Sequence, residues 1–128
     1  MIKNISFGII PLYHCQEVLL VQNVNKKWGF PIGHKEGNES PIETALRELK
    51  EETGISDIRV EEDKIYKEET MEGNVKRIIY FYVGHVSSKE VISDYVENID
   101  YQWIAFDQVD ANISYLSTAK LFKSIFCN

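Results

Sequence analysis

Cysteine, long apolar runs and surplus positive charge are all scarce in this chain of 128 residues, and each shortage removes a class of function. The two cysteines, Cys15 and Cys127, stand near opposite ends without a C-x-x-C spacing, so they read as ordinary reduced thiols rather than a redox pair or zinc site. No apolar stretch approaches the ~20 residues of a membrane helix. The first residues carry neither a basic segment followed by an apolar run nor a cleavage site, so a cytoplasmic protein with no membrane partner is expected. Acidic side chains outnumber basic ones by 20 to 14, a formal net charge of −6, and the resulting field disfavours stable DNA binding. A polyanionic substrate would then need divalent cations as intermediaries. No repeat, low-complexity tract or linker breaks the sequence, which is read as one domain over residues 1–128, working as a monomer or homodimer.

What is abundant is hydrophobic residues, 44% of the chain, arranged with two periods. Ile5, Phe7 and Ile9 alternate, and Val18, Leu19, Leu20 and Val21 follow as a second strand, the two joined near Tyr13 and His14. Asn25, Lys26 and Lys27 end that strand. Residues 28–34, Trp-Gly-Phe-Pro-Ile-Gly-His, are punctuated by Gly29, Pro31 and Gly33 and read as a loop. Later segments at 58–60, 65–66 and 75–86, the last preceded by the turn former Glu72-Gly73-Asn74, read as antiparallel strands. Tyr101, Trp103 and Ala105 alternate as one more strand, and residues 117–126 carry Leu121, Phe122 and Ile125 at helical spacing. The class is mixed α/β.

The best-defined helix begins after Ser40, where Ser40-Pro41-Ile42-Glu43 forms a capping box with proline in the first turn, and it stops at Gly54. Ile42, Ala45, Leu46, Leu49 and Thr53 form its packing stripe. At about 100° per residue, Glu48, Glu51 and Glu52 share one sector beside that stripe. Like charges four apart cost roughly 0.2–0.5 kcal/mol, and anions near a helix C-terminus oppose its dipole. An isolated E-x-x-E-E is a solvated acidic face or a site for hard cations such as Mg²⁺, whose oxygen ligands such spacing can supply. Arg47 is either a surface ion pair or a brace for a neighbouring carboxylate or phosphate. Gly33 is a turn glycine or a point where the carbonyl of Ile32 approaches a ligand.

Taken together, Gly33, Glu39, Arg47, Glu48, Leu49, Glu51, Glu52, Gly54 and Ile55 reproduce without a gap the pattern G-x5-E-x7-R-E-U-x-E-E-x-G-U, where U is a bulky aliphatic. The chain thereby resembles the Nudix hydrolases. That resemblance implies an α/β/α sandwich around a mixed β-sheet and hydrolysis of a nucleoside diphosphate linked to another moiety. It implies Glu48 and Glu52 as principal ligands of Mg²⁺, for which Mn²⁺ substitutes, Glu51 as a further ligand, and the Ile32 carbonyl as a backbone ligand. Glu39 is implied as a residue that steadies the loop.

Around the box, Trp28, Pro31, Gly33 and His34 are similar to the W-x-x-P-K-G-H segment of the asymmetric diadenosine tetraphosphate hydrolases. Ile32 stands where those have lysine, which leaves Lys35 or Lys27 to supply a cation. Glu97, six residues before Trp103, resembles an additional metal ligand of that subgroup; without the resemblance it is an exposed loop glutamate. His34 is implied to face phosphate, the alternative being a loop residue bonded to nearby backbone. Tyr80 and Tyr101 are base-stacking candidates, core packing being the other role open to them.

The expected chemistry is attack by a metal-activated water on a phosphorus, with Glu52 ranked ahead of Glu97 as base, and Glu51 and Arg47 completing the catalytic set. A dinucleoside polyphosphate such as diadenosine tetraphosphate is the first expectation for substrate. Oxidised nucleoside triphosphates, or the 5′ end of RNA, are the second. A catalytically silent nucleotide sensor is the third, opposed by the intact glutamate set.

Overall fold

The computed structural model describes residues 1–92 and 100–126. Among these residues eight strands form one mixed sheet: β1 Ile2–Tyr13, β2 Glu17–Gln22, β3 Trp28–Gly29, β4 Ile32–Gly33, β5 Ile58–Val60, β6 Tyr66–Glu72, β7 Val75–Val86 and β8 Asp100–Ala105. Among the described residues the helices are α1 Pro41–Thr53, α2 Val109–Asn112 and α3 Leu116–Phe126, with a 3-10 turn over Phe106–Gln108. The two long strands β1 and β7 run parallel at the centre, in register from Ile2 opposite Val75 to Tyr13 opposite Val86. Every other pairing among the described residues is antiparallel: β1 with β2 and β4, β2 with β3 and β8, and β7 with β5 and β6.

Alternation along these strands divides the core in two. Ile9, Leu19 and Tyr82 face α1, where they pack with Ala45 and Leu49. Ile10, Leu12, Leu20 and Phe81 face the opposite way and pack with Val109, Ala119 and Phe122 of α2 and α3. Helices on both faces of a mixed sheet make an α/β/α sandwich, as expected. Each large side chain buried in these layers contributes about 1.5–3 kcal/mol.

Three local expectations are corrected. Residues 28–34 are not wholly irregular, because β3 pairs with β2 and β4 with β1. The second pairing depends on Gly8, where a β-carbon would collide with Ile32 and with the Pro31 carbonyl. The strand read at 65–66 instead covers Tyr66–Glu72. Its buried residue is Glu68, so the polar-to-apolar alternation that marks a half-buried strand is invisible. The 3-10 turn and α2, each only one turn long, were not anticipated.

Candidate active site

The start of α1 is fixed as its sequence dictates. Glu43 donates its backbone N–H to Ser40 Oγ at 3.3 Å, and Ser40 N–H donates to Glu43 Oε1 at 2.8 Å. At the other end Gly54 adopts φ 76°, the left-handed conformation that closes a helix at low cost in glycine, and its N–H reaches the Lys50 carbonyl. With both ends set, the helix presents Arg47, Glu48, Glu51 and Glu52 at known angles to the sheet.

Arg47 is the hub. Its Nε donates to Glu39 Oε2 at 2.7 Å, and its Nη2 to Glu39 Oε1 at 3.2 Å and to the His34 carbonyl at 2.8 Å. Its Nη1 reaches Glu48 Oε1 at 3.2 Å and both oxygens of Glu51 at 3.0 and 3.1 Å. One guanidinium thus ties the loop before α1 to the acidic edge of the helix and offsets the mutual repulsion of Glu48 and Glu51. The hydrogen bond from Arg47, followed by one from the Glu36 backbone, holds the Glu39 carboxyl at about 2, against an ordinary 4.5. Arg47 is in turn held above its ordinary range, first by the hydrogen bond to Glu39. Glu39 also accepts from Glu36 N–H and Thr44 Oγ1.

Glu48 is buried, unlike a solvated surface glutamate. Its carboxylate occupies the space where a β-carbon on Gly33 would lie. Gly33 is therefore required for close approach and not for a left-handed turn, since its φ is not positive. Glu51 is half-exposed on the same edge. Glu52 lines a cavity of about 580 Å³ that opens between the sheet and α3. Ile32, in β4, lies on that cavity and on a second groove with Gly33 and His34. Among the described residues no three His, Cys, Asp or Glu side chains already converge on one point, and Arg47 is the cation between Glu48 and Glu51.

The remaining candidates spread further. His34 Nδ1 lies 3.0 Å from the Ile5 carbonyl, so that nitrogen carries the proton and the ring is anchored to backbone. Lys35 is exposed and lines neither cavity, whereas Lys27 lines the larger one. Tyr80 stacks on Phe7, with ring centroids 5.6 Å apart and planes 18° from parallel, on the α1 side of the sheet. Tyr101 is exposed in β8, opposite Val21, and lines neither cavity. Glu97 lies outside the described residues. Sequence reasoning passed over Glu68 and Arg77, both of which line the larger cavity. Their strand positions are the only signal, and that signal was hidden in a run of charged residues.

A sandwich of this topology with a glutamate-edged helix on one face defines a Nudix domain, and a NUDIX domain family model matches residues 3–123. The chain belongs to the Nudix hydrolase family. Over 38 residues it is 58% identical to the putative hydrolase 111R of Invertebrate iridescent virus 3, a stretch covering 29% of this chain and 22% of that protein. The match thus spans less than a quarter of the viral relative. Among solved structures, the binary complex of a Caenorhabditis elegans Ap4A hydrolase superimposes with TM-score 0.84 at 19% identity, covering 98% of this chain and 95% of that one. The MutT protein of Methanosarcina mazei Go1 gives 0.77 at 24% identity, with 96% and 92% covered. The NUDIX domain of Shewanella oneidensis NrtR, complexed with ADP ribose, gives 0.78 at 19% identity, with 98% and 87% covered. At these identities the likeness establishes the fold. Among the described residues no helix is long and apolar enough to cross a membrane.

Proposed function

We propose that the protein hydrolyses a phosphoanhydride bond in a nucleoside diphosphate linked to another moiety, with a dinucleoside polyphosphate such as diadenosine tetraphosphate as the first candidate. The observation that carries this reading is the placement of α1. It seats Glu48 against Gly33 and turns Glu52 into a cavity large enough for a nucleoside.

The donor set suits a hard divalent cation: carboxylate oxygens of Glu48, Glu51 and Glu52 on one helix edge, beside a cradle that only glycine leaves open. These residues, with the Ile32 carbonyl and Glu97, would hold Mg²⁺, or Mn²⁺ in its place. When bound, the cation lowers the pKa of water and neutralises charge on the leaving phosphate. Glu52 would accept the proton of the attacking water, a role supported by its lining the cavity where Glu48 and Glu51 do not. Arg47 acts as a positioning residue, with its guanidinium nitrogens engaged by Glu39, Glu48, Glu51 and the His34 carbonyl. Lys27 and Arg77 line the same cavity and are the cations within reach of a phosphate chain, in place of the lysine that Ile32 replaces. Anchored through Nδ1, a neutral His34 ring offers Nε2 only as an acceptor, so it contacts phosphate only when protonated.

A cavity of about 580 Å³ that takes a nucleoside serves equally the second reading, in which the substrate is a nucleoside triphosphate or a 5′-triphosphorylated RNA end. Comparing kcat/KM for diadenosine tetraphosphate, a panel of oxidised and normal nucleoside triphosphates and triphosphorylated RNA, each with Mg²⁺, separates them. The highest value on diadenosine tetraphosphate supports the first reading. A higher value on the triphosphates replaces it with the second.

A further inference from the structure

Glu68 is the third residue of β6, on the face turned towards α3, where it is only 8% exposed. Its Oε2 accepts a hydrogen bond from Ser117 Oγ at 2.9 Å, in the first turn of α3. Its Oε1 is wholly buried and accepts from no described residue. Leaving a buried acceptor without a partner is costly, more so when it is charged, so such an atom needs an explanation in a native protein. Its surroundings supply one. Glu68 stands in the wall of the cavity of about 580 Å³ that Glu52 lines from α1.

The rest of that wall suits a flat heterocycle. Phe30, Ile79 and Phe81 provide apolar surface. Tyr115 lies across Gly29, where an added β-carbon would meet its ring at 3.4 Å, and its hydroxyl accepts from Asn23 Nδ2 at 3.1 Å. A ring held here would have its edge towards Glu68 and its phosphates towards the α1 glutamates, with both ends of the site lining one cavity.

We propose that this cavity is a base pocket and that Glu68 makes it selective for a purine with adjacent N–H donors on one edge, as guanine has. A carboxylate only accepts hydrogen bonds. Guanine offers its ring N1–H beside its 2-amino group, and both can be received together. Adenine places a bare ring nitrogen beside its amino group, so the same approach sets lone pair against lone pair. The inference rests on the nucleotide-binding part of the function proposed above. It goes further in naming the residue that chooses the base, and within the dinucleoside polyphosphates it replaces the diadenosine compound named above as the example with its guanosine-containing counterpart.

The test is equilibrium binding of guanosine and adenosine 5′-(α,β-methylene)diphosphates, which lack the cleavable bridging oxygen, by calorimetry with Mg²⁺ present. The wild-type protein should bind the guanosine analogue at least about tenfold more tightly, the scale of charge-assisted hydrogen bonds. Glu68→Gln, which keeps the shape but turns one acceptor into a donor, should bring the two affinities to within about threefold. Equal affinities in the wild type, a preference for adenosine, or no binding of either analogue overturns the inference, whether or not the variant folds. So does a guanosine preference of full size in a folded Glu68→Gln protein. Hydrolysis without base preference removes this inference and leaves the reaction standing, whereas base preference without hydrolysis does the reverse.

Discussion

The Glu48 carboxylate lies against the α-carbon of Gly33, in the volume that the β-carbon of any other residue would take. Two residues on different elements, β4 and α1, are thereby made mutually dependent. Gly33→Ala should force Glu48 out of its seat and cost about 1–3 kcal/mol, the range for overpacking a tight site. Backbone strain is not the cause, because Gly33 does not have a positive φ. Adding Glu48→Ala to Gly33→Ala should restore most of the lost stability and none of the activity. Urea unfolding of the two single variants and the double variant measures this coupling, and additive losses would show that the two residues do not collide.

The link between Glu39 and Arg47 has a defined dependence on acidity. With its folded value at about 2 and its ordinary value at 4.5, Glu39 binds a proton more readily in the unfolded chain. Its contribution to stability is therefore complete above the ordinary value, and it fades as the pH drops from 4.5 towards 2. Glu39→Gln should be less stable than the wild type at neutral pH, and the gap should narrow through that window. Melting temperatures recorded against pH test it; a gap of unchanged width down to the bottom of the window would show that another group carries the effect.

The capping box offers a check on the helix itself. Ser40→Ala removes the acceptor for Glu43 N–H and should destabilise the protein by about 1 kcal/mol, within the 0.5–2 kcal/mol range of such caps. Denaturant midpoints at constant m-value would report it. A change within a few tenths would mean that the Glu43 side chain and the Ser40 carbonyl hold this terminus without the hydroxyl.

Arg47→Lys keeps the charge and loses the fork. A lysine cannot span Glu39, the His34 carbonyl and Glu51 together, so the loop before α1 should loosen and kcat should fall by about tenfold or more, a misplacement effect. Steady-state kinetics at saturating substrate and Mg²⁺ decide the matter. Unchanged kcat would reduce Arg47 to an ordinary ion pair.

Much of this arrangement was legible in the chain. The limits of α1 follow from Ser40, Pro41, Glu43 and Gly54, and the alternation in β1, β2, β7 and β8 shows in Ile9, Leu19, Tyr82 and Trp103. What could not be read depends on partners distant in sequence. The parallel pairing of β1 with β7 joins Ile2 to Val75, and nothing local to either strand specifies it. Gly33 has the same appearance whether it makes a turn or admits a carboxylate from position 48, and Tyr80 gives no sign that Phe7 already occupies its face. Glu68 is the clearest case. A buried charge in a strand erases the hydrophobic pattern by which strands are found, so the sequence shows this strand only at 65–66 and gives no sign of Glu68.

The central claim, that the edge of α1 performs hydrolysis, is tested most directly by Glu52→Gln. Phosphoanhydride cleavage should be measured with Mg²⁺, and again with the cation removed by chelation, for the wild type and the variant. We expect wild-type turnover that chelation abolishes, and a kcat at least about 10²-fold lower in a variant that still melts near the wild-type temperature, the scale of a lost general base. Turnover by Glu52→Gln at the wild-type rate, or cleavage that survives removal of the cation, would contradict the account.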